Sequence, residues 1–323
     1  MHQQKSIIAA LAMLCGAPVA LDAQASCGAA FCSINTSWDV QGAWLEPGAR
    51  FDLRYEYIKQ DQPRSGSKKV AVGEIPHHHD EVVTRNQNWL PSLDYTLDQD
   101  WGLNALLPVV HRGHEHIHNH RGEQLLDTWN FTEVGDARIV ARRRLATFED
   151  GAPSVGTLGV NFGLKLPTGR TDVRNGSGEL AERSLQPGSG TTDLLAGAYY
   201  SKSLPMRNTS WFVQGLLQLP LSYHQDYRPG RKLMADTGVR YLLGEKTSLM
   251  LQANAVLRAR DAGAQAEPED TGGKALYLSP GVGYGVTEKL QVYGFVQLPV
   301  YQYVNGVQLT ARRAFSVGVT SRF

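Results

Sequence analysis

After its first 25 residues the chain lacks any apolar run approaching the roughly 18 residues that a membrane-spanning helix needs, so a membrane crossing would have to be made with strands. It also lacks an excess of either charge: 32 basic and 31 acidic residues leave a net +1, and no nucleic-acid partner follows from that balance. Cysteine is scarce, at three in 323 residues. Neither G-x-S-x-G nor an HxxEH-type zinc motif occurs, which argues against the hydrolytic chemistry that some barrel proteins perform. The nearest approach to a nucleophile site is SYHQDY, where Ser222 and Asp226 flank the isolated His224; an acyl-transfer site needs all three groups held together. The glycines of NGSGE (175–179) and GSG (188–190) open no helix, so turn chemistry explains them better than phosphate binding. No Pro/Ser/Gly linker divides the chain, and one domain is expected.

The amino-terminal residues have the layout of a secretory signal over 1–25: Lys5, an apolar stretch from Ile7 to Leu14, and a small-residue cleavage site at Ala23-Gln24-Ala25. Neither Cys15 nor Cys27 follows the leucine-led tripeptide of lipoprotein signals, so acylation is not expected. Cleavage would leave Cys27 and Cys32, in SCGAAFC. In an oxidising compartment, cysteines this close suggest a small disulfide loop, with a pair of free thiols as the alternative. A zinc site would need about four ligands, and no histidine is near in sequence. Residues 26–48 carry Trp38 and Trp44 and end in Glu46-Pro47-Gly48. They read as a periplasmic leader or as a plug for the domain behind them.

What the chain has in abundance is period two. In ARFDLRYEYI, Phe51, Leu53, Tyr55 and Tyr57 alternate with Asp52, Arg54 and Glu56, so a strand here has one apolar and one charged face. Similar pieces of about ten residues, the length that crosses a bilayer at barrel tilt, recur in NWLPSLDYTL, WGLNALLPVV, GDARIVARR, TLGVNFGLKLP, TDLLAGAYYSK, WFVQGLLQLPL, ADTGVRYLL, SLMLQANAVLR, ALYLSPGVGYGV, LQVYGFVQLPVY and AFSVGVTSRF. The expected fold is all-β: a transmembrane antiparallel up-and-down barrel of about twelve strands over 49–323, in a bacterial outer membrane. Short periplasmic turns (98–100, 204–209, 243–247, 287–289, and a longer one near 148–153) alternate with long outer loops at 59–86, 111–130, 168–191, 222–232 and 261–274, and a shorter one at 302–307. Prolines recur near strand ends in LLPVV, LKLPT, LQLPL and VQLPV, where ladder pairing finishes. Trp89, Trp101, Trp211, Tyr223, Tyr301 and Tyr303 fit an aromatic girdle at the lipid interface. Phe315, Val317, Val319 and the terminal Phe323 share one face of the last strand, resembling the signal read by outer-membrane assembly machinery.

The stretches GVNFGLKLPTGRTD (159–172) and LQPGSGTTDLLAGAYYSK (185–202), and more weakly VQLPVYQYVNG, resemble the outer-membrane family named for the MetA pathway of phenol degradation. The resemblance covers the middle of the chain best. It implies a single barrel that passes small organic compounds, and it carries no catalytic residues. The long, histidine-rich first two loops depart from that pattern.

Two kinds of candidate site emerge. The inward parity collects Asp52, Arg54, Glu56, Asp94, Asp136, Arg138, Arg142, Lys165, Asp193, Asp236, Arg240 and Arg258. Such charges are costly against lipid but acceptable in a water-filled lumen, where they set selectivity or pair and close the bore. Eight histidines fall in two clusters, His77, His78 and His79 in PHHHD, and His111, His114, His116, His118 and His120 in HRGHEHIHNH. The last four share one face of an extended segment, and Asp80 and Glu115 are close in sequence. Imidazole with carboxylate suits zinc, copper, nickel or iron; the plain alternative is a solvated polar loop with pH-sensitive charge. The sequence thus implies a non-enzymatic outer-membrane channel for a small solute, with metal captured at the outer loops. A non-transporting metal-binding or sensing barrel is the alternative, and a barrel hydrolase a more distant one. Lipid, a solute or metal ion, and the assembly machinery through Phe323 are the implied partners.

Overall fold

The structure, a computed structural model, describes residues 30, 33–36, 47–75, 80–120, 123–149 and 154–323, the side chains of Asp80, His118, Asn119, His120 and Glu123 excepted. The signal, Cys27, Cys32, Trp38, Trp44 and His77 to His79 lie outside that set. Fourteen strands form one antiparallel sheet: β1 (Gly48–Gly66), β2 (Lys68–Lys69), β3 (Asp80–Thr96), β4 (Trp101–Leu106), β5 (Val109–His120), β6 (Glu123–Val134), β7 (Arg138–Glu149), β8 (Val155–Lys165), β9 (Asp193–Leu204), β10 (Thr209–Pro220), β11 (Lys232–Leu243), β12 (Thr247–Arg258), β13 (Gly273–Gly285) and β14 (Leu290–Arg322). Eleven of them close into a ring because β1 pairs with β14 on one side and with β3 on the other, while β2, β5 and β6 stand outside it. Closure leaves the ring without a free edge.

The count differs from twelve for identifiable reasons. β14 contains two passes: residues 291–304 pair with β13, and residues 304–322 turn back to pair with β1. The reversal uses Gly306 at φ +48°, a left-handed conformation that a side chain disfavours. One other expected strand, 101–110, is broken, and the one expected from Gly135 begins only at Arg138. Proline at 108 interrupts β4 and β5, and the Gly135-Asp136-Ala137 step separates β6 from β7. β4 then pairs with β7 inside the ring, while β5 pairs with β6 above it. This corrects one expectation: 111–130 is not a loop but a β-hairpin, continuing the sheet upward along β3. The first long connection is also shorter than 59–86, since β1 runs to Gly66 and β3 begins at Asp80.

The alternation places apolar side chains outward. Trp89, Leu93, Tyr95, Leu97, Leu103, Leu249, Leu251, Val282 and Val317 are all exposed, while Asp52, Glu56, Asn86, Asn88, Asp94, Gln252 and Asn254 are buried. A soluble protein would have these two sets reversed; a barrel in lipid requires this arrangement. Above that band the outward residues of β5 include His111, Gly113 and Glu115, and Glu115 meets Arg85 at 2.7 Å. The first and last strands meet at the opposite rim, where the Phe323 amide donates to the Ala49 carbonyl (2.9 Å) and the Phe323 side chain stays exposed.

Candidate functional site

The lumen is not empty. A short piece of chain that precedes β1, Ala30 and residues 33–36, runs inside it and is held by side chains from around the ring. Ile34 is buried against Ile58, Phe212, Met250, Phe295 and Ala314, a burial worth roughly 2 kcal/mol. The backbone of this segment is satisfied by strand side chains. Asn88 donates to the Ala30 carbonyl (2.9 Å), Asn254 to that of Ser33 (3.2 Å), Arg54 to that of Ile34 (3.2 Å), Gln252 to that of Asn35 (2.9 Å), and Arg50 to that of Thr36 (2.8 Å). An extended segment away from any ladder needs such partners for its peptide groups. The amides that supply them were missed from the sequence, although Asn88, Gln252 and Asn254 share the inward parity that singled out the charges.

The inward charges largely form pairs. Arg142 meets Asp94 (3.2 Å), Arg54 meets Glu56 (3.1 Å), and Arg258 meets Asp261 (2.6 Å). Lys165 lies between Asp136 (2.7 Å) and Asp193 (3.4 Å). Asp52 accepts from the hydroxyls of Tyr293 and Thr320, both at 2.9 Å, and Asp236 from the Asn254 amide at 2.9 Å. Arg240 is half-buried on β11. Asp136 is not on a strand as expected. It occupies the break between β6 and β7, where its carboxylate accepts from the Gly169 and Ser189 amides (3.1 and 2.9 Å). That ties the long connection 166–192 into the mouth of the barrel. Gly169 and Gly188 cross there so closely that a Cβ on either would collide with the other's backbone. The two stretches that carry the family resemblance are thus packed against each other.

At the rim the histidines divide by parity. His111 faces outward, its Nδ1 2.8 Å from the Thr132 hydroxyl. His114 and His116 face inward and are buried, with ring centroids 5.9 Å apart. His114 Nδ1 lies 2.8 Å from Thr84 Oγ1, its ring is 5.7 Å from Trp129, and its Nε2 is buried without a hydrogen bond. Burial, with the nearby Arg112 charge, lowers its pKa to about 4. His116 Nδ1 is 3.5 Å from Glu182. Burial together with Glu81, Glu267 and Asp270 pushes the Glu182 carboxyl well above the usual carboxylate range. Arg112, lowered to about 9 by burial, donates to Asn86 (2.8 Å) and to the carbonyls of Leu185 and Gln186. His118 and His120 continue the strand, but their side chains lie outside the described set. Among the described residues no three or more His, Cys, Asp or Glu side chains are grouped to hold a metal ion. His224 packs over Gly190 and approaches Thr171 Oγ1 (3.4 Å), and among the described residues it makes no hydrogen bond to Ser222 or Asp226 through its ring.

No family model and no curated protein matches the sequence. The fold is similar to that of an outer membrane channel from Pseudomonas putida F1, at 14% identity over 88% of this chain and 98% of that one, with a TM-score of 0.64. Also similar are the NanC porin (10% identity, 84% and 100% covered, TM-score 0.48) and the KdgM porin (10%, 85% and 99%, TM-score 0.42). The first likeness shows the barrel fold; it does not reach the phenol-degradation family.

Proposed function

We propose that this protein is a channel for a small solute in a bacterial outer membrane, and that the segment before β1 closes its lumen until it is displaced. The observation that carries this reading is the set of hydrogen bonds from Arg50, Arg54, Asn88, Gln252 and Asn254 to the carbonyls of Ala30 and residues 33–36. Each is a bond between polar groups that water replaces at modest net cost, about 1 kcal/mol for each amide donor and about 1.5–3 for each guanidinium, so the contact is specific yet reversible. Ile34 adds the one sizeable apolar contact among the described residues. The apolar outward band, the polar interior and the likeness to a solved outer membrane channel support the location and the class. On this reading the connection 166–192, anchored by Asp136, narrows the outer mouth, and Phe323 serves barrel assembly. Planar-bilayer recording tests it: the full mature chain should show little or intermittent current, and a variant lacking residues 26–46 should show sustained steps. Absence of current from both would leave a closed, non-transporting barrel.

A second reading, metal capture at the rim, is favoured by one arrangement: His114 and His116 on one buried face, with Glu182 3.5 Å from the latter. It requires further ligands from His77 to His79, His118 or His120, and the ion would be zinc, copper, nickel or iron. Replacing the eight loop histidines by alanine and titrating each metal tests it; unchanged affinity removes the proposal.

A further inference from the structure

Between Ala30 and Ser33 and the rim the lumen opens into a cavity of about 200 Å³. Its walls are of two kinds. Ile58, Met234, Val256 and Leu309 present hydrocarbon, Arg138, Lys232 and Arg258 present cations from β7, β11 and β12, and Lys274 and Arg313, stacked on Tyr303 and Phe315, add two exposed cations at its edge. Among the described residues no carboxylate lines it. Arg258 is occupied by Asp261 at 2.6 and 2.8 Å. The side chains of Arg138 and Lys232 make no hydrogen bond and no ion pair with any described residue. Their charged neighbours are shared: Asp136 and Asp193 already hold Lys165, and Asp261 already holds Arg258. Of the buried groups around this chamber, four cations (Arg138, Lys165, Lys232, Arg258) meet three carboxylates (Asp136, Asp193, Asp261), an excess of one positive charge before the exposed Lys274 and Arg313 at its edge are added.

We infer that the chamber is a binding site for a small amphiphilic monoanion, a carboxylate on a short hydrocarbon body. The carboxylate would bridge Arg138 and Lys232, gaining charge-assisted hydrogen bonds from two donors that otherwise have none. The body would lie on Met234, Val256 and Ile58, where its burial displaces water from apolar surface. Sites for drug-sized ligands run to about 300–1,000 Å³, so this one suits something smaller. A cation is rejected by the charge excess, and a bare inorganic anion leaves the hydrocarbon wall wet. The inference deepens the channel reading and rests on it, since it names the class of solute that the lumen selects.

Calorimetric titration of the full-length protein in detergent tests it, with hexanoate, the neutral isostere hexanamide, and acetate as probes. Hexanoate should bind at least about tenfold tighter than either of the others. Lys232→Gln and Arg138→Gln should each weaken hexanoate by about tenfold and leave hexanamide within about twofold, and Lys232→Arg should restore binding. Heat-modifiable mobility on gels checks that each variant is folded; the three-probe comparison on the unaltered protein stands even if one is not. Equal affinity for hexanoate and hexanamide overturns the inference, as does hexanoate binding indifferent to both glutamine variants. Recording from the same preparation separates the two readings. Protein that conducts but ignores hexanoate loses the site and keeps the channel, and protein that binds hexanoate but never conducts does the reverse.

Discussion

In the barrel, Arg142 faces Asp94 and Lys165 faces Asp136 and Asp193. At the rim Arg112 is buried as deeply, yet it is held by the Asn86 side chain and the carbonyls of Leu185 and Gln186, none of which carries a charge. The difference comes from what each region has to stabilise. Strands at membrane height satisfy their own backbones, so inward charges are free to compensate one another. The connection 166–192 has almost no ladder of its own, and its orphan carbonyls need donors. Arg112 supplies them, and Asp136 supplies acceptors for the amides of Gly169 and Ser189. A loop without regular structure is thereby anchored through its own backbone groups.

The contrast can be disrupted most severely in the lumen. Lys165→Met leaves Asp136 and Asp193 buried without their cation, and the barrel should lose about 3–5 kcal/mol, measured by urea unfolding followed through heat-modifiable mobility. Asp136 would also release its loop, so proteolysis within 166–192 should accelerate in the same variant.

At the rim the decisive variable is pH. His114 is held neutral down to about pH 4, whereas an unfolded histidine takes up its proton near 6.5. The open hairpin therefore binds more protons than the closed one between those values. Stability from this group is complete above pH 6.5 and falls as pH drops toward 4, by about 3 kcal/mol in all. Glu182 works in the opposite direction, its contribution falling as pH rises above the ordinary carboxylate value. Comparing hydrogen exchange of β5 and β6 amides in the parent and in His114→Gln isolates the histidine: the parent should open more readily from pH 7 to pH 4, and the variant should lose most of that slope.

Gly190 has φ +71° and lies under the His224 ring, where a Cβ would overlap the imidazole. Gly190→Ala should cost about 2 kcal/mol, read as earlier cleavage of 166–192 with the barrel's own unfolding unchanged. The smallest effect marks the boundary between regions. Arg85 and Glu115 are paired but well exposed outside the hairpin, and Arg85→Ala should shift urea unfolding by no more than about 0.5 kcal/mol.

Much of the barrel was legible from the chain. Phe51 to Tyr57 against Asp52 to Glu56 already implied a strand with one face in lipid, because a period of two assigns every residue to a face without reference to its neighbours. The same parity placed Asp52, Asp94 and Arg142 inside. It gave no sign of the break that leaves Asp136 off the strand while its side chain still meets Lys165 inside, nor of the hairpin in 111–130, where histidine and charge on both faces hid the alternation. The grouping of Arg138, Lys232 and Arg258 was out of reach for another reason. Those residues come from three strands, and Lys232 read as the end of a loop.

The alternation, and with it the architecture, is written in the amino-acid order alone, because side-chain direction along a strand is a local property. Which inward residues neutralise one another, which cations are left over, and that Ala30 and residues 33–36 lie among them were decided only when the ring closed. Closure is what sets strands hundreds of residues apart across one narrow lumen, and no local rule encodes that distance.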